Sequence, residues 1–267
     1  MIVCINQQKG GTAKTTTVRE LGYLAALDDR KVLMIDMDPQ FSLSKSFGLT
    51  KDQVKGKSIY DVFMEALDPQ DVIIQTKFKN LYLLPASKDL SMLDVDLAIK
   101  YIDIVKKKGA SELVNVLRRV LEPIRDSFDL ILIDTLPSLG MTALNALCVS
   151  DWILIPCVPE EACLEQLDDL LEVCRKVKIK LNTSLKYIGI LPVMVNRVIT
   201  HHKQGLKALQ DIYSNEYGIK ILDAQINNCT VFKDSVALKE PASALYYEMP
   251  VLEYQKVYKE MKEIIGL

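Results

Sequence analysis

Long hydrophobic runs are missing from this 267-residue chain. The opening apolar stretch, Met1-Ile2-Val3-Cys4-Ile5, is too short for the core of a secretory signal, and no run approaches the roughly 18 residues of a membrane-spanning helix. The chain is therefore expected to be cytoplasmic. Charge of one sign is missing too: 33 Lys+Arg stand against 35 Asp+Glu, a formal net charge of -2. The molecule as a whole does not advertise affinity for nucleic acid, and any basic surface must be local. The six cysteines (Cys4, Cys148, Cys157, Cys163, Cys174 and Cys229) show neither C-x-x-C pairs nor zinc spacing. Several lie inside apolar runs, where cysteine acts as a small hydrophobe, so reduced structural thiols are expected. His201 and His202 have no ligand spacing with other metal-type residues and read as polar loop or helix-start residues. No Pro/Gly/Ser-rich or low-complexity linker and no internal repeat breaks the chain, so residues 1–267 read as one domain.

What is present is material for a core, with 49% hydrophobic residues, arranged as short Val/Ile-rich runs separated by helical patterns. The runs are Ile2 to Asn6, Val32 to Asp36, Leu81 to Leu84, Leu130 to Asp134, Trp152 to Pro156 and Tyr187 to Val195. Helical spacing is expected over Lys14 to Leu27, Ala110 to Leu121, Thr142 to Val149, Glu161 to Val177, Gln204 to Tyr213 and Leu252 to Ile265. Such alternation specifies a mostly parallel sheet with helices on both faces. Ligands of open sheets of this kind bind beyond the carboxyl ends of the strands, so the polar residues that follow each run are the informative ones.

The first of these endings is QQKGGTAKTTT, residues 7 to 17. A strand, a loop containing Gly10-Gly11 and a helix starting near Lys14 form a phosphate cradle. Glycine lets backbone N–H groups turn inward, and the helix N-terminus adds partial positive charge. Lys14 is placed to reach β- and γ-phosphates, and the Thr15 hydroxyl to hold Mg²⁺. The ordinary G-x-x-x-x-G-K-[ST] pattern is not met: Gln8 and Ala13 stand at the glycine positions, and Lys9 precedes the glycine pair. A β-carbon at residue 13 requires a negative φ.

Two further endings are acidic. In VLMIDMDPQFSLS, Asp36 and Asp38 lie two residues apart on one side of an extended chain, at a cost unless a cation is near. In FDLILIDTLPSLG, Asp134 emerges from a strand buried on both faces, where it can accept from a magnesium-bound water.

Together these stretches resemble the ParA/MinD group of P-loop ATPases. Its deviant Walker A box, K-G-G-x-x-K-[ST], matches Lys9 to Thr15; its D-x-D-P-Q matches Asp36 to Gln40; and its Walker B and switch segment matches Asp134 to Gly140, with Leu136 for a proline. The resemblance implies a three-layer P-loop NTPase fold of α/β class, with a mostly parallel central sheet flanked by helices. It implies ATP and Mg²⁺ as cofactors, with Gly10, Gly11, Thr12, Ala13, Lys14, Thr15 and Thr16 around the nucleotide and Thr15, Asp36 and Asp134 around the metal. Lys9 takes the role of a lysine that contacts the nucleotide of a second subunit, and Asp38 that of the residue orienting the attacking water. The segments IPCVPEEACLEQL and VMVN are similar to the ribose and base side, with Pro159 and Asn196 as contacts; both could equally be ordinary turn residues at strand ends.

Within the group, the D-P-Q-F-S-L-S run is similar to the small ParA or Soj proteins. That likeness implies slow ATP hydrolysis, an ATP-dependent homodimer that binds DNA nonspecifically, stimulation by a ParB-type partner, and a role in plasmid, chromosome or mobile-element partition in the cytoplasm, on the nucleoid where DNA is bound. Asn227, Asn228 and Thr230 stand where arginines are common, which leaves Arg197, Lys203, Lys207, Lys233 and Lys239 as DNA-facing cations or as solvated surface charges. The alternatives are a MinD-like membrane-associated ATPase and a nucleotide-gated adaptor with negligible hydrolysis. The tail VLEYQKVYKEMKEIIGL mixes Lys with Glu and reads as a helix docked on the domain, so no stable membrane association is expected.

Overall fold

The computed structural model describes residues 1–196, 198–247 and 249–267. Seven strands, β1 (Ile2–Ile5), β2 (Val32–Asp36), β3 (Ile74–Gln75), β4 (Leu81–Leu84), β5 (Leu130–Asp134), β6 (Trp152–Cys157) and β7 (Lys186–Pro192), form one sheet in the order β3-β4-β2-β5-β1-β6-β7. All pairings are parallel except the short antiparallel β3–β4 pair at the edge. Every residue of β1, β2 and β5 is buried, as continuous apolar runs in a sheet covered on both faces require.

Thirteen α-helices are described among these residues. They are α1 (Lys14–Leu27), α2 (Ser42–Ser46), α3 (Ile59–Phe63), α4 (Pro69–Val72), α5 (Leu93–Lys100), α6 (Ile102–Lys108), α7 (Val116–Leu121), α8 (Met141–Val149), α9 (Glu161–Lys180), α10 (Thr200–Ala208), α11 (Val231–Ala237), α12 (Ala242–Leu245) and α13 (Met249–Ile265). This is the mostly parallel, helix-flanked P-loop NTPase architecture. The strand expected over Tyr187 to Val195 stops at Pro192, and Val195 makes only an isolated bridge to Asn227. The helix expected over Ala110 to Leu121 is a 3₁₀ segment to Asn115 and α-helical only from Val116.

Two buried features tie the C-terminal helices to α1. Arg19 and Glu20 form an ion pair at 3.2 Å, and the Glu20 carboxylate also accepts the N–H groups of Ala242 and Ser243 at the start of α12 (2.9 and 2.8 Å). Tyr254 on α13 meets the Thr17 hydroxyl at 3.1 Å. Val251, Tyr254, Val257, Met261 and Ile265 of α13 are buried in the domain, whereas Met249 at its start is exposed. No helix among the described residues is long and apolar enough to cross a membrane. The six cysteines are free and five are buried, with the Cys157 and Cys163 sulfurs 3.3 Å apart.

Candidate functional site

The parallel register sets the carboxyl ends of β1, β2 and β5 side by side: Ile5 pairs with Asp134, and Asp36 with Asp134. A cleft of about 500 Å³ opens above them, lined by every residue from Gly10 to Thr16 and, across from that loop, by Asp38, Lys45, Thr135 and Met194. Sequence residues separated by more than a hundred positions thus meet at one edge because the sheet order brings β2, β5 and β1 together.

The loop itself is held by its own groups. The Thr12 hydroxyl and Lys14 Nζ both donate to the Lys9 carbonyl at 3.1 Å. Gly11 has φ +75°, which glycine adopts without strain, and a β-carbon on Gly10 or Gly11 would stand in open space. Ala13 departs from expectation. Its φ is +57° and ψ +24°, left-handed rather than negative, at a cost of about 1–2 kcal/mol for an L-residue. What holds it there is the first turn of α1: the N–H and the hydroxyl of Thr17 both donate to the Ala13 carbonyl at 2.8 Å. Left-handed residues at 11 and 13 belong to the class of loop in which successive N–H groups converge on an anion.

The three acidic residues differ sharply in surroundings. Asp134 is fully buried, and neither carboxylate oxygen has a hydrogen-bond partner. Burial, then the charge of Asp36, push its carboxyl well above the usual range, while the neighbouring Thr15 hydroxyl and Lys14 pull the other way. Asp36 is also fully buried but partnered: Oδ1 accepts the Asp38 N–H (3.1 Å), and Oδ2 accepts the N–H and hydroxyl of Ser44 (2.8 and 2.7 Å). Burial still pushes it up to about 6. Its oxygens are spent on fixing α2 and the turn after β2, which leaves Asp134 as the free carboxylate of the pair. Asp38 is half-buried on the cleft wall, with Oδ1 capping the Gln40 N–H at 2.8 Å. Lys14 is almost wholly buried; burial lowers its pKa, and Asp134 and Asp38 raise it.

Whether these residues suit a magnesium–nucleotide pair can be judged from this chemistry. An unpartnered buried carboxylate is stable only with a cation or a proton, a hydroxyl at Thr15 stands beside it, and a glycine-lined loop with a lysine faces the same space. The set fits.

A second cavity of about 270 Å³ shares Gly10, Gly11 and Met194 with the first and is lined by Lys9, Val158, Glu160, Asn196 and His202. Asn196 is therefore at a wall of the site. Pro159 is not: Val158 and Glu160 line the cavity, while the buried Pro159 sets its carbonyl against the backbone of Gly205 on α10. Lys203 and Lys207 are exposed on α10, Lys233 is exposed on α11, and Lys239 is exposed just after it. Arg197 lies outside the described residues. Sequence reasoning missed Lys45, Met194, Glu160 and His202. Only Glu160 carried a signal, as the acidic residue after the V-P turn; the others are brought in by the fold.

Comparison with known proteins agrees with the geometry. A family model described as an AAA domain matches residues 1–187. The chain is similar to the sporulation initiation inhibitor protein Soj of Bacillus subtilis, at 35% identity over 73% of each chain. It is also similar to the chromosome-partitioning ATPase Soj of Treponema pallidum, at 32% identity over 95% of this chain and 89% of the relative. The crystal structure of a plasmid partition protein of Borrelia burgdorferi bound to AMPPNP superposes with a TM-score of 0.76, at 26% identity, covering 99% of this chain and 98% of that one. A likeness that runs through nearly the whole chain, and not the phosphate loop alone, makes this protein a member of the ParA/Soj family of deviant Walker A P-loop ATPases.

Proposed function

We propose that this chain is a partition ATPase in which ATP joins two copies and its hydrolysis releases them. The observation that carries the reading is Asp134, a fully buried carboxylate with both oxygens unpartnered, at the end of β5 immediately before Thr135, which lines the same cleft as the loop from Gly10 to Thr16. Thr15 and Asp134 would hold magnesium there, with Asp36 supporting Asp134 from the neighbouring strand end. When bound, the metal supplies charge neutralisation for phosphate oxygens.

The remaining roles fall to the chain's own groups. Backbone N–H groups of residues 10 to 16 and the start of α1 bind phosphates, and Lys14, held close by burial, adds a fixed positive charge. Asp38, on the cleft wall and anchored by its own turn, orients the attacking water. Lys9, just before the loop and lining the second cavity beside it, is the group proposed to reach the nucleotide of a second copy. Asn196 lies on the base side. Lys203, Lys207, Lys233 and Lys239 are free to face DNA phosphates without reading sequence. A ParB-type protein stimulates the slow intrinsic turnover. The burial of Val251, Tyr254, Val257, Met261 and Ile265 on α13 supports this reading over a membrane-associated one, because most of that helix's apolar face lies against the domain.

Light scattering with ATP, ADP or no nucleotide tests the dimer, and DNA binding across a salt series tests the cations. The reading predicts a dimer only with ATP, prolonged in Asp38→Ala, and DNA affinity that needs ATP and falls steeply with salt. A monomer in all three states, or salt-insensitive DNA binding, contradicts it.

A further inference from the structure

A continuous chain of hydrogen bonds runs from the phosphate loop to the far wall of the second cavity. Lys9 Nζ donates to Glu160 Oε2 at 2.9 Å, Glu160 Oε1 lies 3.3 Å from His202 Nε2, and His202 Nδ1 accepts the backbone N–H of Asn196 at 3.2 Å. Because Nδ1 accepts, the proton of the neutral ring sits on Nε2 and is donated to Glu160. His202 is only 6% exposed. Its helix is fixed in place: a β-carbon on Gly205, the next buried residue along α10, would come within 2.2 Å of the Pro159 carbonyl. The Glu160 carboxylate is thus braced from one side by a buried ring and offers its other oxygen to Lys9. The hydrogen bond from Lys9 is the largest cause of the depressed pKa of Glu160. Neither Glu160 nor His202 has a part in binding phosphate or metal as assigned above, so this brace is otherwise unexplained.

We infer that Glu160, braced by His202, is a positioning residue that parks the Lys9 ammonium on its own subunit, so that dimer formation must break the Lys9–Glu160 pair before Lys9 reaches across. The inference rests on the proposed role of Lys9 between subunits. The side chains of the pair are 25% and 46% exposed, which sets the strength of the hold. Partly exposed pairs shift equilibria by small factors, and two such pairs open per dimer, so releasing both raises the dimerisation constant roughly two- to thirtyfold. Parking of this size sets a threshold for assembly without forbidding it. It also keeps the lysine from wandering into its own cleft, where Lys14 already stands.

The test is dimer fraction by light scattering at fixed protein concentration across an AMPPNP series, for wild type, Lys9→Ala, Glu160→Ala, Glu160→Gln and the double variant Lys9→Ala/Glu160→Ala. Circular dichroism and ADP affinity confirm that each variant is folded. Glu160→Ala is expected to shift the half-point to lower AMPPNP, and Glu160→Gln, which keeps an acceptor for His202 but removes the charge, to give part of that shift. In the Lys9→Ala background, read at a protein concentration raised until that variant dimerises measurably, the Glu160 substitution is expected to change nothing further, an outcome a merely structural role would not produce. His202→Gln, which loosens the brace, should move the half-point in the same direction as Glu160→Gln. Weaker dimerisation of Glu160→Ala, or an equal effect with and without Lys9, overturns the latch. A Lys9→Ala protein that dimerises as well as wild type instead removes the intersubunit lysine itself, and with it the premise.

Discussion

Asp134→Asn separates what the fold needs from what the cation needs. In metal-free protein the Asp36–Asp134 pair works against folding. Burial lifts Asp36 from 3.8 to about 6, and at 1.36 kcal/mol per unit this corresponds to about 3 kcal/mol, an energy belonging to the pair and not to one residue. Asp134 is displaced in the same direction, by burial first and by Asp36 second, and the Thr15 hydroxyl and Lys14 offset only part of this. A carboxyl whose pKa is higher in the folded state binds its proton more tightly when folded. Its contribution is fully present below the unfolded value near 3.8 and is lost as pH rises through the folded value, about 6 for Asp36; Asp134 is raised in the same direction. Metal-free wild type is therefore expected to lose stability from about pH 4 through about pH 6, and further as Asp134 ionises, and Asp134→Asn to lose less. At pH 8 in EDTA the variant should be more stable by about 1–3 kcal/mol, the gain from removing a buried charge being reduced by an amide with incomplete partners. With magnesium and nucleotide the order reverses. Wild type gains about 2.7 kcal/mol at a hundredfold excess over Kd, and the variant loses most of that increment. Urea denaturation at two pH values, with EDTA or with Mg-nucleotide, reads all of this. A variant less stable than wild type in EDTA at pH 8, yet with the full magnesium increment, would refute the assignment of Asp134.

Other expectations follow from the same geometry. Lys14→Ala should cost at least tenfold in nucleotide affinity by calorimetry, since a buried ammonium facing the cleft is lost; unchanged affinity contradicts the cradle. Ala13→Gly removes the left-handed strain and should raise stability by about 0.5–1 kcal/mol in thermal or urea unfolding, the gain being cut by the greater freedom of glycine when unfolded. Glu20→Ala should destabilise by about 3–5 kcal/mol, because it leaves Arg19 buried and unpaired and uncaps α12; a loss under about 1 kcal/mol would mean that α1 and α12 are not coupled as described.

Much of the fold could be read in the sequence because parallel strands buried on both faces leave an unmistakable pattern, as in Leu130 to Ile133, and because a phosphate loop must fall between such a strand and a helix. The short helices between residues 42 and 108 and the β3–β4 edge pair were not legible. Five-residue elements such as Ser42–Ser46 carry too little periodicity, and α2 exists because the Asp36 carboxylate holds its Ser44. The site divided in the same way. The residues from Lys9 to Thr15, with Asp38 and Asp134, sit in contiguous motifs. Ala13 was misjudged because the Thr17 bonds that hold it left-handed form only once the helix is in place. His202 and Met194 enter through β7 and α10, and nothing in their local sequence announces that they will face the phosphate loop. The exposed lysines Lys203, Lys207, Lys233 and Lys239 belong to the same group, being cations whose meaning depends on a surface that a linear pattern does not show.

A crystal structure grown with Mg-AMPPNP tests the central claim most directly. The account predicts two copies face to face, each with its triphosphate on residues 10 to 16 and with Lys9 Nζ of one copy, released from Glu160, against the γ-phosphate held by the other. A nucleotide-bound single copy in which Lys9 remains on its own Glu160 would contradict it.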